Sequence, residues 1–188
     1  MKTDEKNKID SSITIEKKPP EIWNTLVEFS NYRSWNPVVS HAAIYGSVVT
    51  GTAIKIMSGK WDFRFSIVHA SPPERLDVEG GAVGLNMKLR LNISPLENGS
   101  SVSIEALAGG WITKIFSKKI KRNIEESLEL FLSALERRIS GGNSYEITRH
   151  DEKATNEDDR RGFSMPTPFN LIYKTRQKKS PRRRSFLR

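Results

Sequence analysis

The chain has 188 residues, with 31 Lys and Arg against 22 Asp and Glu, a formal net charge of +9 and no cysteine. The missing cysteines exclude disulfides, thiolate metal sites and a cysteine nucleophile, and are compatible with a reducing cytoplasm. No window is apolar over the ~18 residues a membrane span needs, and the charged opening MKTDEKNKID lacks the apolar stretch of a signal peptide.

Residues 9–16 alternate, with Ile9, Ser11, Ile13 and Ile15 on one face, and read as a first strand. Pro19-Pro20 ends it and can open a helix at its first turn. Ile22, Trp23, Leu26, Val27 and Phe29 then recur at helical spacing. Ser30 can cap a second short helix over 31–35, which Asn36-Pro37 ends. Strands follow at short intervals: 38–45, 52–58 with Ile54 and Ile56 on one side, and 61–69 after a tight turn at Gly59. In 61–69, Trp61, Phe63, Phe65 and Ile67 alternate with Asp62, Arg64 and Ser66. Pro72-Pro73 breaks the chain before 75–79, which carries Leu76 and Val78. Gly80, Gly81 and Gly84 mark a flexible connection. Residues 86–94 point Met87, Leu89, Leu91 and Ile93 one way and Lys88, Arg90 and Asn92 the other. Asn98-Gly99 is a hairpin turn, and 101–108 closes the series with Val102, Ile104 and Ala106 inward.

From Trp111 to Ile139 the apolar residues fall at steps of three and four: Ile112, Ile115, Phe116, Ile120, Ile124, Leu128, Phe131, Leu132, Leu135 and Ile139. That stripe predicts one amphipathic helix, on the order of 45 Å long. Ser140-Gly141-Gly142-Asn143 stops it. The basic excess lies beyond. Residues 1–141 carry 19 basic and 16 acidic residues (+3), and residues 142–188 carry 12 and 6 (+6). The low apolar content predicts a mostly disordered tail over 142–188. One apolar face per strand predicts an antiparallel sheet with one wet face. Strand, short helices, further strands and a final long helix make an α+β domain over 8–141.

The segment 19–26, PPEIWNTL, followed by 29–37, FSNYRSWNP, resembles the opening of the START-like (SRPBCC) superfamily. This is the helix-grip group that includes the birch-pollen allergens and the bacterial polyketide cyclase/dehydrase and lipid-transport proteins. The resemblance covers roughly residues 9–140, with Trp35-Asn36-Pro37 matching the end of the family's second short helix. It implies a curved antiparallel sheet of about seven strands gripping the long C-terminal helix, with an apolar cavity between them. It does not name a ligand, because the superfamily binds many apolar compounds, and the tail has no counterpart in it.

Little in the sequence points to chemistry. His41, His69 and His150 have no ligand-like spacing, and no metal or other cofactor is expected. The two on strands, His41 and His69, read as structural or solvated. No Gly-x-Ser-x-Gly motif occurs. Ser58-Gly59-Lys60 lacks the glycine-rich lead-in of a phosphate loop. The inward strand faces are almost wholly apolar, which favours binding over acid–base catalysis. Trp23, Trp61, Phe63, Phe65, Met87, Leu89, Leu91, Ile124 and Leu128 are the candidate cavity lining, and the loop of Gly80, Gly81 and Gly84 is a candidate gate. The same apolar faces would suit a solid core with no cavity.

The tail joins an apolar segment (Phe163, Met165, Phe169, Leu171, Ile172, Tyr173) to Lys174, Arg176, Lys178, Lys179, Arg182, Arg183, Arg184 and Arg188. Aromatics beside a basic run suit an anionic membrane surface better than nucleic acid. Three readings stand: a binder or carrier of a small apolar molecule such as a lipid, polyketide or isoprenoid; a polyketide cyclase or dehydratase; and an interaction protein working through its tail. The expected location is cytoplasmic, with peripheral membrane contact through the tail.

Overall fold

Alternating strand patterns become a seven-stranded antiparallel sheet in the computed structural model, which describes residues 8–141. The strands are β1 (Lys8–Ile15), β2 (His41–Ile44), β3 (Ala53–Ser58), β4 (Trp61–Ser71), β5 (Arg75–Ala82), β6 (Leu85–Leu96) and β7 (Gly99–Gly109). Their spatial order is β1-β7-β6-β5-β4-β3-β2. Five consecutive hairpins build this meander, and β1 closes it by pairing with β7, Ile9 opposite Ala106 and Ile13 opposite Val102. The three helices are α1 (Pro19–Val27), α2 (Tyr32–Trp35) and α3 (Trp111–Ile139). A 3-10 turn, Phe29–Asn31, leads into α2. Ser30 falls inside that turn and does not cap it, since neither short helix has a side-chain cap.

The strand phases follow the sequence pattern. Phe65, Ile67, Leu76, Leu91, Ile93, Val102 and Ile104 are buried, while Arg64, Lys88 and Arg90 on the alternate positions are exposed. The second strand is shorter than its pattern, because residues 36–40 form a turn held to β3 by Ser40 N–H donating to the Met57 carbonyl (2.9 Å).

The segment 80–84 departs from its reading as a loop. Gly80 and Gly81 are strand residues of β5, paired with Phe65 and Arg64 on one side and Met87 and Asn86 on the other. They are glycines because backbone crowds both: a Cβ on Gly80 would stand 2.0 Å from the Arg64 carbonyl oxygen, and one on Gly81 2.0 Å from that of Leu85. The connection proper is only Val83-Gly84. It is tied to the start of α3, where Ile112 N–H donates to the Gly84 carbonyl (3.2 Å).

Leu132 and Leu135 are essentially sealed from solvent at 2% and 0%. Burying a leucine fully contributes about 1.5–3 kcal/mol, so the C-terminal half of α3 anchors the core. The apolar stripe breaks at the other end. At Phe116 the backbone leaves helical values (φ −124, ψ 34), and Ile115, expected on the stripe, is 62% exposed. The kink shifts the phase of the first turns relative to the rest.

Candidate functional site

The backbone of α3 lies closest to β1 and β7 and makes few close approaches to the middle of the sheet. Between α3 and the inner face of β3 to β6 a cavity of about 240 Å³ remains. Its sheet wall is Ile56 and Ser58 from β3, Trp61, Phe63 and Phe65 from β4, Leu76 and Val78 from β5, Leu85, Met87, Leu89 and Leu91 from β6, and Ile104 from β7. The facing wall is Ile120, Ile124, Leu128 and Phe131 of α3, edged by Lys119, Asn123 and Ser127. Tyr32, Asn36, Val38 and Val39 close one end. Strand periodicity of two and helix periodicity of 3.6 aim these side chains at one space.

Aromatic rings shape the walls. Trp61, Phe63 and Phe65 stack along β4 with centroids 6.0 Å apart. Tyr32, Trp35 and Phe131 pack with centroids 5.0–6.1 Å apart. The Tyr32 hydroxyl donates to the Leu26 carbonyl, and burial pushes its phenol well above the ordinary range. Among the described residues, Lys119 carries the only charge in the lining, and it is exposed. Ser127 spends its hydroxyl on the Asn123 carbonyl (2.5 Å). No His, Asp or Glu of the described residues lines the space, and no group of three metal-ligating side chains occurs among them. The arrangement can enclose an apolar body. Among the described residues its lining offers no carboxylate or imidazole for acid–base work.

The family model for polyketide cyclase / dehydrase and lipid transport matches residues 6–136. The chain belongs to this family. As a member of the polyketide cyclase/dehydrase and lipid-transport family it is similar to two curated Mycobacterium tuberculosis proteins, Toxin Rv0910 and Toxin MT0934. Each is 28% identical over 140 residues, covering 67% of this chain and 96% of the relative. Among solved structures, a START superfamily protein from Mycobacterium smegmatis aligns with a TM-score of 0.60 at 14% identity, over 71% of this chain and 97% of its own. The di-domain ARO/CYC BexL from the BE-7585A biosynthetic pathway aligns with a TM-score of 0.58 at 12% identity over 69% of this chain; the chain spans 48% of it. These likenesses show the START-like helix-grip fold.

In this family member Trp61, Phe63, Phe65, Met87, Leu89, Leu91, Ile124 and Leu128 share the cavity wall. Trp23 does not: it is 7% exposed within the core and outside the lining, because α1 packs on α3 and β6 beyond the cavity. Of the candidate gate residues, Gly80 and Gly81 are strand residues of β5 and only Gly84 lies in the connection between β5 and β6. His41 and His69 are exposed on strands and away from the cavity. The basic side chains Lys174, Arg176, Lys178, Lys179, Arg182, Arg183 and Arg184, with the disorder expected of the tail, lie outside the described residues. Of the polar lining residues absent from the sequence-based candidates, Ser58 and Asn36 are buried. Ser58 ends the strand read over 52–58 and follows the period of Ile54 and Ile56, which places it inward, but the sequence reading assigns a facing only to the two isoleucines. Asn36 reads only as a helix stop.

Proposed function

We propose that this domain is a non-enzymatic binder or carrier of a small, largely apolar molecule, held between the sheet and α3. The observation that carries the reading is the 240 Å³ apolar cavity. At the ~30 Å³ a water occupies in the liquid, that is room for about eight methylene-sized groups. Such a volume suits one compact ring system or a short acyl chain. The family's description, polyketide cyclase / dehydrase and lipid transport, is compatible with either ligand class. A cyclase reading needs a group that moves protons at neutral pH. Here the Tyr32 hydroxyl is committed to a carbonyl and its phenol is raised by burial, so binding accounts for the lining better.

Native mass spectrometry of the full chain after mild purification tests this. The expected result is a co-purified small molecule that is lost on organic extraction and replaced by an added apolar probe. A bare mass that takes up no apolar probe overturns it. Turnover of an aromatic polyketide precursor would favour the enzyme instead.

The relatives named toxins bring a second consideration. A cavity that withdraws a small apolar metabolite would make over-production harmful without any catalytic group. Growth on induction, compared between the native chain and a cavity-filled variant, tests that. Membrane contact through the basic tail is a separate matter of charge. Eight basic residues and no acid in 174–188 predict sedimentation with phosphatidylserine vesicles that is lost when 174–188 is deleted.

A further inference from the structure

Where α3 begins, three large apolar side chains stand out into solvent: Val83 at 88%, Ile115 at 62% and Trp111 at 55% exposure. Val83 tops the β5–β6 hairpin. Its neighbour Gly84 (φ +78) lies against the Trp111 ring, since a Cβ there would stand 2.6 Å from Trp111 Nε1. Ile115 follows Trp111 by one helical turn, and the kink at Phe116 takes it off the buried stripe. Around these tips the chain is basic. Residues 111–122 carry Lys114, Lys118, Lys119, Lys121 and Arg122 and no acid, and all five are exposed. Lys121 and Arg122 are turned toward Glu125 and Glu126 (3.8 and 3.7 Å). Lys114, Lys118 and Lys119 have no hydrogen bond or ion pair among the described residues. Helix stability does not explain the choice. The macrodipole favours acid at a helix start, not Lys114, and the first turn of α3 has none.

Single exposed apolar residues are ordinary, but a cluster drawn from two elements marks a contact surface. We propose that this face docks on an anionic lipid surface. Trp111, Ile115 and Val83 enter the headgroup boundary, and Lys114, Lys118 and Lys119 lie over the acidic headgroups. Indole and aliphatic tips beside lysines suit that boundary, where apolar burial and charge attraction add. A protein partner fits less well, because protein interfaces are depleted in lysine. Nucleic acid would account for the lysines but leaves Val83 and Ile115 without a role. The proposal does not depend on the carrier reading. It adds a second, structured contact to the one proposed for the tail. Each is a weak signal by itself, and stable anchoring takes two. Lys119 also edges the cavity, so the basic stretch reaches the cavity's rim.

The test mixes the full chain with vesicles of phosphatidylcholine and phosphatidylserine whose acyl chains carry bromine, which quenches a tryptophan that reaches them. Trp111 is the most exposed of the four tryptophans. The expected result is that brominated vesicles quench the native chain and that Trp111→Phe loses most of this quenching while still sedimenting with the vesicles. Lys114→Gln combined with Lys118→Gln should weaken vesicle binding about tenfold or more at low salt. Val83→Ser combined with Ile115→Ser should weaken it too. These are exposed positions, so the variants should melt with the native chain, which separates lost docking from lost fold. Sedimentation with equal quenching in the native chain and Trp111→Phe overturns the proposal and leaves the contact to the tail. Undiminished binding by the lysine variant overturns it as well. So does a native chain that binds a DNA duplex but no vesicle, or that binds neither.

Discussion

Gly80 sits where three strands pass close, and the atoms around it are backbone: a Cβ would stand 2.0 Å from the Arg64 carbonyl oxygen and 2.7 Å from the Phe65 Cα. Backbone cannot rotate aside as a side chain can. Gly80→Ala is therefore expected to cost about 2 kcal/mol or more in chemical denaturation. Gly109→Ala, with nothing within 4 Å of the added carbon, should stay within about 0.5 kcal/mol. Equal midpoints for the two variants would mean that close approach does not set the choice of glycine. Tyr32→Phe makes a second residue-scale case, since it strips the donor from the buried Leu26 carbonyl; a loss of about 1 kcal/mol is expected from the same measurement. These residues also show what the sequence left illegible. A glycine run reads as a loop because glycine marks both turns and close strand crossings. Asn36 reads as a stop signal because its neighbour Pro37 speaks louder than its side chain. Ser58 was legible from strand period alone, had the alternation from Ile54 and Ile56 been carried two residues further.

At the level of elements, α3 was legible in length and composition, and its bounds match the apolar stripe. Its first turns were not, because a backbone kink at Phe116 leaves no mark in side-chain spacing. The consequence is measurable along one helix. Leu135→Ala empties a fully buried site and should cost about 2–5 kcal/mol, whereas Ile115→Ala at 62% exposure should fall within about 0.5 kcal/mol. The outer face of the sheet carries a different balance. Lys8, Glu105, Arg90, Asp77 and Arg75 alternate in sign across β1, β7, β6 and β5, with contacts of 3.2 Å (Lys8–Glu105), 3.4 Å (Arg90–Glu105) and 3.5 Å (Arg90–Asp77). Mostly exposed pairs of this kind contribute little individually. Asp77 is the exception, with a side chain only 13% exposed. Hydrogen bonds from the Arg75 guanidinium hold its carboxyl below the usual range, against the opposing effect of burial. A lowered folded-state value means that stability is present above the ordinary carboxylate value of ~3.9 and is lost as pH falls through the lower one. The native protein should therefore lose stability below about pH 4 more steeply than Asp77→Asn. Melting temperatures across an acid series check this, and parallel acid limbs for the two proteins would show that Asp77 carries none of the slope.

Over the whole molecule, the sheet and the long helix were readable, but the space between them was not. Inward faces such as Phe63, Val78 and Leu89 carry the same residues whether they meet a helix or a void, because packing density is a property of three-dimensional fit and leaves no periodicity. The void arises because α3 leans on β1 and β7 while β3 to β6 curve away from it. A cavity kept open forgoes packing energy, and a bound ligand restores it. That linkage gives the most direct test of the molecule as a carrier. Leu89→Trp places a large ring from the middle of β6 into the cavity and should leave the ligand-free protein as stable as the native one or more so, since filling voids commonly adds about 0.5–2 kcal/mol. The native protein at a ligand concentration of about 100 Kd gains about 2.7 kcal/mol, which raises its melting temperature on the order of 5–10 °C. Leu89→Trp should gain almost none of that. The two effects have opposite signs in one variant, so general damage to the fold cannot produce both. A variant that melts like the native protein and still responds fully to ligand would place the binding site elsewhere.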